Sequence, residues 1–304
     1  MNDKIKVLSL FDGMSVAQQA LKELGKDVEV YYASEIDEYA KAVTQSNFPN
    51  TVQLGDTRCI TRKEYSSIIM TLWGTAVCLK TEIDLLMGGS PCQDLSIAKK
   101  GREGLKGQRS GLFYEYVRIR DEMKPKYFIL ENVNSMPKEA KDTISEALGV
   151  QPVMINASLV SAQNRKRLFW IGSLQEDGTY KQVEISQPED RGILLKDILE
   201  SDVDEKWIME RPRTNKFSSN QTQSDSQEKA NTLLVGGDTP TCFHNGQPRK
   251  FTDKEVLRLQ SMPDDYFDKA TYKNKPISNT QRYKMCGNAF NCEVVKHIIK
   301  QLDL

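Results

Sequence analysis

Net charge is the first thing this chain lacks: 42 Lys and Arg residues balance 42 Asp and Glu. The field of the whole protein therefore argues neither for nor against a polyanionic partner. Histidine is scarce. The only two, His244 and His297, fit no metal spacing, and the six cysteines at 59, 78, 92, 242, 286 and 292 form no CxxC pair. Zinc sites and a disulfide framework are thus disfavoured, and reduced thiols in a cytoplasmic protein are expected. No apolar run approaches the length of a membrane span, and Met1 to Lys4 is a mixed-charge opening, unlike a signal peptide. Internal repeats and low-complexity tracts are also missing. What remains is 304 residues, enough to bury a sizeable core as one large or two unequal domains.

The most informative stretch runs from Ile83 to Cys92. An apolar run of strand length, Ile83 to Met87, ends in Gly88 and Gly89, and Ser90 with Pro91 then force an extended turn. This delivers one thiol to the C-terminal end of a buried strand, where open α/β sheets bind their ligands. A free thiol titrates near ~8.5 and needs local activation to act as a nucleophile. A second strand-like run, Tyr127 to Val133, carries Glu131 at its end. Two buried strands ending in a thiol and an acid suggest covalent catalysis with a paired proton donor. The blander fate of a lone cysteine is a small buried hydrophobe. The Gly-Gly-Ser-Pro approach, with Glu131 behind it, weighs against that.

Strand and helix signals alternate from the start. Strands are expected at Lys4–Phe11, Val28–Ser34, Ile83–Met87, Tyr127–Leu130 and Leu168–Ile171. Helices are expected at Val16–Leu24, Glu38–Asn47, Glu64–Leu72, Thr252–Gln260 and Asn291–Leu302. Leu112, Tyr116, Ile119 and Met123 share one further helical face. The alternation implies a parallel sheet with helices on both sides. After Ser173 the pattern weakens, and Arg213 to Lys229 is polar with almost no core-forming residues. The expected division is residues 1–173, a small loop-rich region at 174–248, and a returning segment at 249–304.

The first strand runs into Phe11, Asp12, Gly13, Met14 and Ser15, where the first helix opens. A glycine there lets backbone N–H groups approach a polar ligand. It is not GxGxxG, and one glycine is a weak signal. The second strand ends at Glu35, Ile36 and Asp37, 22 residues beyond Gly13 for Glu35. An acid at that spacing commonly receives the two hydroxyls of a ribose. Gly55, Asp56 and Thr57 offer another acid where a third strand would end. Each acid alone could merely cap a helix, as Asp37 could. Together they favour an adenosine-type cofactor.

These motifs, in this order, resemble the cytosine-C5 DNA methyltransferases, which use S-adenosylmethionine as methyl donor. The resemblance covers nearly the whole chain: Phe11 to Ser15, Glu35 with Ile36, Gly55 with Asp56, Ser90-Pro91-Cys92-Gln93, Glu131-Asn132-Val133, Gln163 to Arg167, Arg258 to Pro263, and Gly287 with Asn288. Wording around Cys92 and Gly111 is most similar to de novo-type catalytic domains and related phage or bacterial enzymes. Ser15 departs from the usual second glycine. The resemblance implies a Rossmann-like class I methyltransferase fold, a mostly parallel sheet with helices on both faces, carrying a small loop-rich target-recognition region. It implies a cytoplasmic restriction-modification or phage setting and double-stranded DNA as partner. Cys92 would be the nucleophile, Glu131 the group that protonates N3, and Arg165 and Arg167 the charges at O2 and near the thiol. Asn132 would orient the Cys92 loop. The cofactor would lie against Phe11, Asp12, Gly13, Ser15, Glu35, Ile36, Asp56, Thr57, Pro91, Leu112, Asn288 and Ala289. DNA would meet Gln93, Ser96, Lys100, Arg102, Arg109 and Arg213.

Between Ser96 and Ser110 five positive charges, one negative and three glycines fit a basic lid closing over a polyanion. An ordinary solvated loop is the alternative, disfavoured by its place directly after Cys92. Two other functions stay open. A transfer-RNA cytosine-C5 methyltransferase is disfavoured by Ser90, where that subfamily usually carries a second proline. A catalytically inactive binding relative is disfavoured by Cys92, Glu131, Arg165 and Arg167 all being present.

Overall fold

A computed structural model describes residues 4–63, 67–72, 75–79, 82–90, 112–213, 222–224, 227–234 and 240–304, with backbone alone across 62–79. Strand β1 (Ile5–Leu10) leads into helix α1 (Val16–Glu23), β2 (Val28–Ser34), α2 (Glu38–Asn47) and β3 (Val52–Gln53). A meander of β4 (Ile60–Lys63), β5 (Ser67–Leu72) and β6 (Thr75–Leu79) follows, then β7 (Leu85–Gly89), α3 (Leu112–Met123) and β8 (Tyr127–Val133). Next come α4 (Lys138–Leu148), β9 (Pro152–Asn156), β10 (Lys166–Leu174), β11 (Tyr180–Gln182) and the short α5 (Leu195–Ile198). The hairpin β12 (Thr241–His244) and β13 (Gln247–Lys250) precedes α6 (Asp253–Leu259). A second hairpin, β14 (Thr271–Tyr272) and β15 (Lys275–Pro276), leads to α7 (Asn279–Asn288) and α8 (Cys292–Ile299).

Eight strands form the main sheet in the order β11-β10-β8-β7-β1-β2-β3, with β9 also on β10. The run from β8 to β3 is parallel, and β10 lies antiparallel to β8. Strands read as nearly continuous apolar runs because both faces are covered. Neighbouring residues of one strand feed opposite cores. Val7, Tyr31, Met87 and Ile129 pack toward α1 and α8, while Leu8, Leu86, Phe128 and Leu130 pack toward α3 and α4. On this side of the sheet antiparallel β10 pairs with β8, β9 and β11, which the alternation of strand and helix did not foretell. The sheet also continues past Ser173 as far as Gln182 in β11.

One expected element is of the wrong kind. A helix is expected over Glu64–Leu72; the described part of that span, Ser67–Leu72, is instead the middle strand of a three-stranded antiparallel sheet, β5 pairing with β4 and β6. Ser67, Ile68, Ile69 and Thr71 are poor in straight-chain helix formers and rich in β-branching, so strand pairing prevails over a weak helical period. Among the described residues no helix is long and apolar enough to cross a membrane.

Chain order fixes where a ligand belongs. Strands β3, β2 and β1 step in one direction from the centre and β7 and β8 in the other, so the sheet's switch point lies between β1 and β7. Crevices at the C-terminal ends of such strands bind ligands. The Phe11–Ser15 turn and the Gly88–Ser90 approach both leave the sheet there.

Candidate active site

Glu131 stands at the end of β8, in register with Gly89 of β7. Its cross-strand partner on β10 is Phe169, so Arg167, two residues earlier, points to the same face. Arg167 Nε donates to Glu131 Oε1 at 2.8 Å, and only 12% of the glutamate side chain is exposed. Around it lie Ile155, Phe169, Phe290 and Val294. Burial in this apolar pocket raises the Glu131 pKa above the usual carboxylate range, against the opposing charges of Arg167 and Arg165. Gly89 is needed at this point: a Cβ there would lie 2.9 Å from the Phe290 ring and 3.3 Å from Glu131 Oε2.

Asn132, buried beside Glu131, reaches Ser90, two residues before Cys92. Its Nδ2 donates to the Ser90 hydroxyl at 3.1 Å and to the Ser90 carbonyl at 3.4 Å. Arg165 is buried too, and its guanidinium bonds backbone: Nη2 donates to the carbonyls of Gly287 (3.0 Å) and Ala289 (2.8 Å), and Nη1 to that of Leu233 (3.3 Å). It therefore fastens the segment around Leu233 to the turn that carries exposed Asn288. Cys92, Pro91, Gln93, Ser96, Lys100, Arg102 and Arg109 lie outside the described residues.

At the end of β2, Glu35 is the hub. Its Oε2 accepts the Gly13 N–H, and its Oε1 accepts the N–H groups of Ile36 and Asp37, all at 2.8 Å. Gly13 has φ +58°, and a Cβ there would meet nothing within 4 Å, so the space above the turn is open. Ile36 is 68% exposed, an apolar side chain left at the rim. Asp12 points the other way. Its carboxylate is buried and accepts hydrogen bonds from the Ser15 hydroxyl and, at 2.7 Å, from Tyr31. Burial, with a smaller push from Glu35, raises its pKa to about 6.

The other acids do cap helices. Asp37 accepts Tyr39 N–H at 3.0 Å at the start of α2, and its second oxygen takes Lys284 of α7 at 2.7 Å. Asp56 accepts Arg58 N–H at 2.9 Å, and the Arg58 guanidinium beside it holds its carboxyl below the usual range. Thr57 is buried, with its carbonyl accepting from Arg118 at 3.3 Å. Leu112 begins α3 and Phe11 sits half-buried at the turn. Arg213, whose N–H donates to the Thr222 hydroxyl at 2.8 Å, is remote in sequence from these motifs.

Several residues organise the site through contacts that their sequence neighbourhood does not show. Gln163 donates to the Leu259 carbonyl (3.2 Å) and accepts Leu233 N–H (3.1 Å), so it ties the Ala230–Leu233 segment to α6. Lys229 Nζ donates to three carbonyls, those of Ser158, Ser161 and Ile193. Nothing in the polar surroundings of Lys229 or in Tyr31's strand announces these roles. Glu255 was findable, because Thr252 with Glu255 three residues on is a capping-box spacing. It both closes that box and pairs with Arg249 in full burial.

Known proteins fit this arrangement. The Type II methyltransferase M1.ScrFI of Lactococcus lactis subsp. cremoris is 27% identical over 98% of this chain and 78% of its own length. The orphan methyltransferase M.SPRI of Bacillus phage SPR is 29% identical over 78% of this chain, which spans 60% of that protein. Among solved structures, the Entamoeba histolytica methyltransferase EhMeth superposes with a TM-score of 0.72 at 14% identity, covering 98% of both chains. Spodoptera frugiperda DNMT2 gives 0.68 at 21% identity, over 98% of this chain and 99% of that one. These two establish the fold, a class I methyltransferase architecture. The family model for C-5 cytosine-specific DNA methylases matches residues 5–237 and 229–303, and the chain belongs to that family.

Proposed function

We propose that this protein is a DNA (cytosine-5-)-methyltransferase that uses S-adenosylmethionine and works through a covalent bond between Cys92 and C6 of a cytosine turned out of the duplex. The observation that carries the reading is Glu131: a buried carboxyl with a raised pKa, paired to Arg167, one strand over from the segment that leads to Cys92. Cytosine C5 is a poor nucleophile. Addition of the Cys92 thiolate to C6 makes C5 enamine-like, provided N3 is protonated or hydrogen-bonded. A carboxyl whose pKa burial has raised holds its proton more firmly than a free one and can supply it to N3. Arg167 would then face O2 and hold Glu131 in place. Once C5 carries the methyl group its proton leaves to water, the C6–S bond breaks, and N3 returns its proton to Glu131.

When bound, S-adenosylmethionine supplies an electrophilic methyl group on its sulfonium. The residues present suit it. Glu35 keeps acceptor capacity on Oε2 for a ribose hydroxyl, Ile36 offers an apolar surface for a base, and the open space over Gly13 admits the amino-acid end. Asn288 and Pro91 would complete the wall.

Cysteine chemistry supports Cys92 as nucleophile. Burial pushes the thiols of Cys242, Cys286 and Cys292 well above their ordinary range, which makes them poor thiolates. Residues 174–248, with the basic stretch Lys99–Arg109, would form the DNA groove, Lys100 and Arg102 meeting phosphates and Arg213 meeting bases. A duplex containing 5-fluorocytosine tests the mechanism, since fluorine cannot leave as a cation and the adduct is trapped. Wild type and Cys286→Ser should give a denaturation-stable complex, and Cys92→Ser none. A trapped complex in Cys92→Ser would name the wrong thiol.

A further inference from the structure

Three residues of the Phe11–Ser15 turn have positive φ: Phe11 at 56°, Gly13 at 58° and Ser15 at 59°. Only glycine adopts that region without steric cost, so Phe11 and Ser15 must be held there by their surroundings. Ser15 opens α1 in this left-handed conformation without a side-chain capping bond to the helix. Its hydroxyl is used elsewhere, donating to the Asp12 carboxylate and accepting from Thr44 of α2 at 3.2 Å. The other Asp12 oxygen accepts from Tyr31 of β2. Tyr31 is 2% exposed. One carboxylate thus links the turn to β2 from below, while Gly13 N–H to Glu35 links it from above.

We propose that Asp12, Ser15 and Tyr31 form a buried brace that fixes the cofactor turn, with Asp12 a positioning residue whose carboxylate does not touch the cofactor. The inference rests on the S-adenosylmethionine reading of that turn. The brace replaces what a glycine at position 15 would supply: conformational freedom is exchanged for a hydrogen bond. It also makes cofactor affinity depend on pH. The ionised carboxylate accepts from both hydroxyls, whereas the protonated acid must donate one bond and loses one acceptor arrangement. The groups facing Asp12 are Glu35 and Tyr266, which add negative charge or a hydroxyl nearby, and the hydroxyls of Ser9, Ser15 and Tyr31.

Calorimetry with S-adenosylmethionine from pH 6.0 to 8.5 tests this on wild type, Tyr31→Phe, Ser15→Gly and Ser15→Ala. Tyr31→Phe removes one hydrogen bond to an ionised acceptor, so affinity at pH 6.5 should fall about tenfold. That loss raises the Asp12 pKa further, so the gap should narrow by pH 8.5 as the anion is restored. Turnover at saturating cofactor should not change. Ser15→Ala, which keeps the steric cost and loses the bond, should weaken binding more than Ser15→Gly. Wild type that takes no S-adenosylmethionine overturns the cofactor reading and the brace with it. Wild-type binding with a folded Tyr31→Phe matching it at every pH, or a gap that ignores pH, overturns the brace alone. Equal effects of Ser15→Ala and Ser15→Gly do the same, independently of Tyr31.

Discussion

Replacing Glu35 by glutamine changes one atom, yet it should disable the cofactor site. The two carboxylate oxygens have different duties: Oε1 takes two N–H groups and Oε2 takes Gly13 N–H, each at 2.8 Å. An amide can present its oxygen to only one side. If that oxygen keeps Ile36 and Asp37, the NH2 group faces Gly13 N–H, donor against donor, and cannot accept from a ribose hydroxyl. The loss is one bond to an ionised acceptor, worth ~1.5–3 kcal/mol. At about 1.4 kcal/mol per decade, affinity for S-adenosylmethionine should drop roughly 10- to 100-fold. Calorimetry at pH 7.5 reads this, with a thermal melt to show that the variant is folded. Glu35→Ala should be at least as weak, since all three N–H groups lose their acceptor. A folded Glu35→Gln that binds within about twofold of wild type would refute the assignment of Glu35 to the ribose and of the turn to the cofactor.

Four further outcomes are expected. Glu131→Gln should slow single-turnover methyl transfer about 10²- to 10⁴-fold, with cofactor affinity intact, because it removes the proton donor; a loss under about tenfold would deny it that role. In wild type the same rate should fall as pH rises through the raised Glu131 pKa, and Arg167→Met should move that fall to higher pH, since Arg167 is the largest charge holding the pKa down. For stability the sign at Asp12 is fixed by its raised folded pKa: the contribution is present below the ordinary 3.8 and is lost as pH climbs to about 6, some ~3 kcal/mol. Asp12→Asn should flatten that window in denaturant titrations, and an unchanged slope would place the Asp12 pKa nearer the ordinary value. Finally, Arg249→Met strands the fully buried Glu255 carboxylate and should cost about 3–5 kcal/mol by chemical denaturation, with the added Glu255→Leu change restoring much of it.

Much of the site was legible from sequence because it is built where strands end. The apolar runs before Glu35 and Glu131 mark strands buried on both faces, and where each run stops the strand leaves the core. That is why the acids stand where strand counting put them. What escaped notice depends on contacts between distant segments. The antiparallel β10 looks like any other buried strand, because a fully covered strand reads the same in either direction. Ser67–Leu72 was misread because a short apolar run fits helix or strand about equally. Tyr31 and Lys229 matter through partners 19 to 71 residues away, and no local spacing encodes such a pairing. Asp12 was legible as a residue of the turn, but not the inward direction of its carboxylate.

Among the described residues, the stretch between β11 and α6 is fastened to the rest of the protein by several distinct contacts. Ala230 and Leu233 are laid along residues 162–164 by backbone bonds and by Gln163, Lys229 is gripped by three carbonyls, and Arg249 with Glu255 secures the return into α6, where Glu200 N–H also meets Glu255 at 2.7 Å. Those fastenings lie at Glu200, at Lys229 to Leu233, and at the return into α6. Variation in length or sequence between these fastenings would leave the fastenings themselves in place.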